Sequence, residues 1–184
     1  MECVETSISD VVVIKPRIFQ DDRGYFFESF NLVTFEQKLG AIPHFVQDNE
    51  SRSAKGTIRG LHLQMPPYAQ SKLVRVIVGK VMDVAVDCRP DSSSYGQAVC
   101  QELSGENKHQ MWIPEGFAHG FQVLSDECIL SYKVTAGYAP SAEVSINPFD
   151  QHLGIPWQKD ILALMSEKDR NGMDFSDFAA LNAG

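Results

Sequence analysis

The sequence predicts an all-β fold, a jelly-roll β-sandwich with a few short peripheral helices, and three observations carry that expectation. Between residues 73 and 135 the chain breaks into short runs rich in Val, Ile and Leu. Turn residues separate these runs at close, regular intervals, as in antiparallel sandwiches and barrels. Helix signals are few and lie towards the two ends.

In chain order, Asn31 is placed to cap a short helix with Leu32, Phe35 and Leu39 on one face, and Gly40 stops it. Residues 56–62 and 114–119 are β-type segments that each end in a histidine. Residues 73–78 and 81–88 flank Gly79-Lys80, which reads as a hairpin turn. In the second run Met82, Val84 and Val86 share one face, and Asp83 and Asp87 lie on the other. Residues 89–96 form a polar turn cluster. Further strands follow at 99–103, 110–113, 120–124 and 128–135, and this long meander favours the jelly roll. Residues 162–165 read as a helical turn and 175–181 as a short terminal helix.

With 184 residues and no repeat, linker or low-complexity stretch, one domain over 1–184 is expected. Lys and Arg number 16 against 24 Asp and Glu, a net charge of −8. That balance works against nucleic acid or an anionic membrane as partner. The acidic N-terminus does not resemble a signal peptide. No apolar run approaches the roughly 18 residues of a membrane helix. Cys3, Cys88, Cys100 and Cys128 form neither a CxxC pair nor a disulfide framework. The expected location is the cytoplasm, with reduced thiols.

The chemistry centres on His62 and His119. Most histidines in β proteins are structural, but glycines surround these two: Gly60 before His62, and Gly116 and Gly120 around His119. Glycine in a strand often marks a bulge or a close ligand approach. His44, His109 and His152 lack that setting and are expected at the surface. Lys72 follows His62 by ten residues. Two histidines and a lysine in one pocket suit proton abstraction beside a carbonyl, with the cation stabilising the enolate. Arg59 and His62, three apart, point to opposite faces of a regular strand. If both line one pocket, a bulge near Gly60 is required.

The segments Gly56-x5-His62 and Pro114-x-Gly116-x2-His119 resemble the two motifs of the cupin superfamily. Metal-binding cupins carry a second histidine where this chain has Gln64, and a glutamate that is also missing here. Two histidines are too few for a tight transition-metal site, so no metal is expected. More specifically, the chain resembles the dTDP-4-dehydrorhamnose 3,5-epimerase family. The matching stretches are residues 22–28, 47–49, 57–64, 70–75, 113–120, 130–133 and 166–169, in order along nearly the whole chain.

The resemblance implies cofactor-free inversion of C3 and C5 in dTDP-4-dehydro-6-deoxy-D-glucose, a step of dTDP-L-rhamnose biosynthesis. It implies His62 as base, Asp169 as the carboxylate that orients it, Lys72 as enolate stabiliser, Tyr132 as acid on the opposite face, and His119 near the sugar. It further implies nucleotide contacts from Arg23, Glu28, Gln47, Asn49, Arg59, Glu143 and Lys168, with Tyr138 stacking on thymine. A homodimer is also implied, with residues 23–28 crossing to the partner's site. Leu63 departs from the family's aromatic, Ala136-Gly137 from its usual pair, and residues 147–152 from its usual Trp-containing Asp-Pro pattern. Epimerisation at C3 alone or C5 alone, a metal-dependent cupin oxygenase using His62 and His119, and a non-catalytic sugar-nucleotide binder remain the alternatives.

Overall fold

The computed structural model describes residues 1–182. The first half holds β1 (Glu2–Glu5), β2 (Val12–Lys15), β3 (Ile18–Asp21), β4 (Gly24–Phe27), α1 (Leu32–Leu39), β5 (Gln47–Ala54), β6 (Ile58–Gln64), β7 (Lys72–Val78) and β8 (Lys80–Asp87). The second holds β9 (Ala98–Ser104), β10 (Gln110–Ile113), β11 (Phe117–Val123), β12 (Glu127–Val134), β13 (Glu143–Ser145), α2 (Glu167–Arg170) and α3 (Phe175–Asn182).

Two antiparallel sheets face each other, one ordered β1-β2-β10-β7-β12-β5 and the other β13-β6-β11-β8-β9. Alternation along the strands turns Val74, Val76 and Leu130 of the first sheet inward. They meet Val81, Ala85, Phe121 and Val123 of the second. The expected all-β sandwich is therefore what the chain forms. Towards one end, polar residues replace the apolar ones between the sheets, and the sandwich opens there into a cavity.

Each sheet is also covered outside. Phe175 and Phe178 of α3 join Trp157 over the second sheet, against Leu61, Val84 and Val86. On the first sheet, α1 lays Phe35 edge-on against Trp112, ring centroids 5.1 Å apart. Burying Phe35 contributes about 2–3 kcal/mol to holding this short helix in place. Its caps are as expected: the Asn31 side chain accepts from the Thr34 amide, and Gly40 closes the end in the left-handed conformation.

Two expectations fail. β7 and β8 do not form a hairpin; they belong to different sheets. One residue, Gly79, separates them, which is too short for a two-residue hairpin loop. The Gly79 carbonyl accepts from the Gly105 amide, and the Lys80 amide donates to Ser125, so neighbouring turns hold the chain at a corner. Residues 162–165 are not helical either. The Leu164 backbone exchanges hydrogen bonds with Gly56 and Ile58, extending the edge where β6 begins. The strand expected from residue 120 starts earlier, at Phe117.

β3 and β4 stand apart as a two-stranded ribbon. Phe19, Tyr25 and Phe26 on it are 50, 58 and 70% exposed. An isolated ribbon of this size is marginal in water.

Candidate active site

The cavity between the sheets measures about 350 Å³, and Arg59, His62, Lys72, His119, Tyr132, Glu143, Lys168 and Asp169 are among its lining residues. Its construction begins with a defect in one ladder. β6 and β11 pair His62 with His119, but the register slips before Arg59 meets Phe121. Gly60, at φ +116°, takes up the slip. A Cβ on Gly60 would lie 2.6 Å from Gly120 Cα, and one on Gly120 would lie 2.7 Å from the Arg59 carbonyl oxygen. Two glycines facing each other thus allow the bulge, and the bulge turns Arg59 and His62 into the same cavity.

His62 Nε2 lies 2.6 Å from Asp169 Oδ1. Asp169 is brought in by α2, whose cap Ser166 donates its hydroxyl to Asp169 Oδ2 at 2.7 Å and accepts the Asp169 amide. Burial acts to raise the Asp169 carboxyl, but hydrogen bonds from His62 and Ser166 outweigh it and hold the group below its ordinary range. An ionised Asp169 accepts a hydrogen bond from Nε2–H and so leaves Nδ1 as the basic nitrogen of His62. The His62 side chain is 28% exposed, so it keeps access to solvent and ligand.

His119 stands opposite with a carboxylate of its own, Asp83 Oδ1, 2.8 Å from its Nε2. Both are buried, and Asp83 Oδ2 has no hydrogen-bond partner among the described residues. Burial pushes the His119 imidazole below its usual value despite Asp83, and the nearby Lys72 and His62 add to that effect.

Lys72 is buried at the cavity wall, and its ammonium donates to the His62 carbonyl at 3.3 Å. Burial pushes it down to about 8, against the raising pull of Asp83 and Glu143. Tyr132 enters from β12 of the other sheet, its ring centroid 6.4 Å from that of His119. Burial raises its phenol above the ordinary value, and the Arg59 charge pulls it partly back.

At the mouth, the Tyr138 hydroxyl donates to Glu143 Oε2 at 2.7 Å, and Lys168 pairs with the same carboxylate. Arg59 is steadied by Ser53 at 3.1 Å. Gln47 and Asn49 do not line the cavity. They hydrogen-bond to each other on β5, and Gln47 Oε1 accepts the Tyr138 amide. Arg23 and Glu28 do not reach it within one chain. Arg23 pairs with Asp21 beside it on the ribbon, and Glu28 accepts from Asn31. Among the described residues no set of three or more His, Cys, Asp or Glu side chains is arranged to hold a metal ion.

Asp83 and Ser166 were not singled out as functional from the sequence. Asp83 and Asp87 alternate with Met82, Val84 and Val86 and so share the other face of β8. The signal lay in Val81 and Ala85, which flank Asp83 on its own face and are both fully buried.

The sequence model of the dTDP-4-dehydrorhamnose 3,5-epimerase family matches residues 5–177. The dTDP-4-dehydrorhamnose 3,5-epimerase of Pseudomonas aeruginosa is 51% identical over 177 residues, spanning 96% of this chain and 97% of that one. That of Shigella flexneri is 50% identical over the same shares. Among solved structures, the dTDP-6-deoxy-D-glucose-3,5-epimerase of Legionella pneumophila, in complex with dTDP-4-keto-L-rhamnose, superposes with a TM-score of 0.91. It is 46% identical, over 95% of this chain and 93% of that one.

Proposed function

This chain belongs to the dTDP-4-dehydrorhamnose 3,5-epimerase family, and on that premise we propose that it inverts C3 and C5 of dTDP-4-dehydro-6-deoxy-D-glucose with His62 as base and Tyr132 as acid. The 4-keto group acidifies the protons on its two neighbouring carbons. His62 Nδ1 takes one of them, and the electron pair of the broken C–H bond moves onto the 4-oxygen. Lys72, protonated in a largely dry wall, stabilises that enolate oxygen. Tyr132 then delivers its phenolic proton to the opposite face of the same carbon. Solvent restores the phenol and removes the proton from His62, and the cycle repeats at the second carbon.

One observation carries this reading. His62 comes from β6 of one sheet and Tyr132 from β12 of the other, with the cavity between them. A sugar lying in that space has a base on one face and an acid on the other, the arrangement inversion needs. Arg59 and Lys168 supply cations for the diphosphate, and Tyr138 a ring for thymine. The same reading makes the protein a homodimer. The exposed aromatic ribbon of β3 and β4, too small to stand alone, supports it, with Arg23 and Glu28 completing the partner's site. It also treats residues 1–184 as one catalytic domain working in the cytoplasm.

The test is NMR of the substrate incubated with the protein in D₂O. Deuterium should enter both C3 and C5, and label at one carbon would reassign the chain to single-centre epimerisation. Tyr132→Phe should still exchange label beside the ketone with retained configuration, while product formation falls by about 10²-fold. Undiminished inversion by that variant would remove Tyr132 as the acid.

A further inference from the structure

Gln64 stands where a metal-binding cupin has its second histidine, two residues beyond His62 and therefore on the same side of β6. It is 6% exposed, and its amide is fully engaged elsewhere. Nε2 donates to the Tyr68 carbonyl at 2.7 Å and to the Gly137 carbonyl at 3.1 Å, while Oε1 accepts the Ala139 amide at 2.8 Å. Both donor hydrogens are spent on backbone, so Gln64 has none left for a ligand. Gln70 repeats the pattern from the next segment, donating to the Ala136 carbonyl at 2.6 Å and the Gly137 carbonyl at 3.3 Å.

Apart from the bond to Tyr68, these bonds converge on residues 136–139, the crossing between β12 of one sheet and β13 of the other. That crossing has little to hold itself with. Ala136 and Gly137 bring no side chain capable of packing, and a Cβ on Gly137 would meet nothing within 4 Å. Tyr138 sits at its centre, 57% exposed, its amide held by Gln47 and its hydroxyl by Glu143. The glutamine amides therefore do for this segment what side-chain packing does elsewhere.

We propose that Gln64, seconded by Gln70, is a positioning residue for Tyr138: it fixes the 136–139 backbone so that the tyrosine ring is already in place when the nucleotide arrives. The proposal rests on the reading of Tyr138 as the partner of the nucleobase. Gln64 takes no part in proton transfer, because its amide is spent on the Tyr68, Gly137 and Ala139 backbone and bonds to none of His62, Asp169 and Tyr132. Loss of the clamp leaves the loop to be ordered at the moment of binding, which weakens affinity without touching the chemical step.

The experiment measures the Kd for dTDP, and KM and kcat for the sugar nucleotide, in Gln64→Met, Gln70→Met, Tyr138→Ala and the Gln64→Met/Tyr138→Ala double variant. Gln64→Met should raise Kd and KM about tenfold, the loss of two to three modest hydrogen bonds, with kcat within about twofold. Gln70→Met should raise both about threefold, and it serves as the test should the buried substitution prevent folding. The double variant should bind no worse than Tyr138→Ala alone, because the clamp acts through the tyrosine. Unchanged dTDP affinity in Tyr138→Ala would overturn the reading of the tyrosine, and the clamp with it. Weakened binding in Tyr138→Ala with unchanged Kd in the glutamine variants would overturn the clamp alone. So would fully additive losses in the double variant, or a kcat loss at unchanged KM.

Discussion

His62 and His119 face each other across one ladder, and each holds an aspartate through Nε2, yet the two pairs are built for different work. Asp169 reaches His62 from a short helix at the cavity rim, with both carboxylate oxygens engaged and the imidazole partly open. Asp83 reaches His119 from the neighbouring strand inside the sandwich, fully buried, with one oxygen left without a hydrogen bond among the described residues. The first pair combines an ionised carboxylate with an accessible ring, the requirements of a base that cycles protons. In the second, burial holds the imidazole neutral, and the buried carboxylate serves more to balance the charge of Lys72. On the proposed mechanism the same two side chains become a base or an electrostatic strut according to depth.

Three changes break or sharpen that contrast, the largest first. His62→Ala should lower turnover by at least ~10²-fold, the low end for a positioned general base, as followed by product formation. A variant retaining turnover within a few-fold of the parent would move the base elsewhere, His119 being the first candidate.

Asp83→Asn comes next, and its effect depends on pH. If protonated Lys72 is the working form, kcat falls as pH rises through the Lys72 value of about 8. Asp83 raises that value, so replacing its charge with a neutral amide must lower it. The alkaline limb of the kcat profile should move about one unit towards acid, roughly a tenfold loss above pH 8, with less change near pH 6. A limb that stays in place would show that the buried pair does not act through Lys72.

The smallest effect belongs to Ser166→Ala, which removes one of the hydrogen bonds that keep Asp169 charged and also the cap of α2. Turnover should fall by less than tenfold, with a stability loss of about 1 kcal/mol in denaturant titration. A loss as large as that of His62→Ala would mean that the orientation of Asp169, rather than its presence, limits the dyad.

Much of this architecture was legible in the chain. Several local features were read correctly, although residues 162–165 are extended where a helical turn was expected. Asn31 and Gly40 bound α1 as expected, and the runs at 99–103 and 110–113 are strands. The parity argument at Arg59 and His62 required a bulge near Gly60, and the register slip lies there. Gly79-Lys80 misled because a local reversal of direction says nothing about which strand lies alongside. Whether β7 and β8 pair is decided by the turns at Gly105 and Ser125 that hold the corner.

The sequence by itself determined the β-character of the middle of the chain, the short capped helix, and a set of histidine, lysine and tyrosine residues whose spacing matches one family. Only the tertiary structure decided which of them share a cavity and which charges are buried. His62 and Asp169 lie 107 residues apart, and nothing near either one announces the contact. Lys72 and Asp169, each unremarkable as a surface charge when read alone, are 7 and 4% exposed. Burial and ionisation depend on what the rest of the chain packs against a group, and that information is distributed over both sheets rather than carried in any one segment.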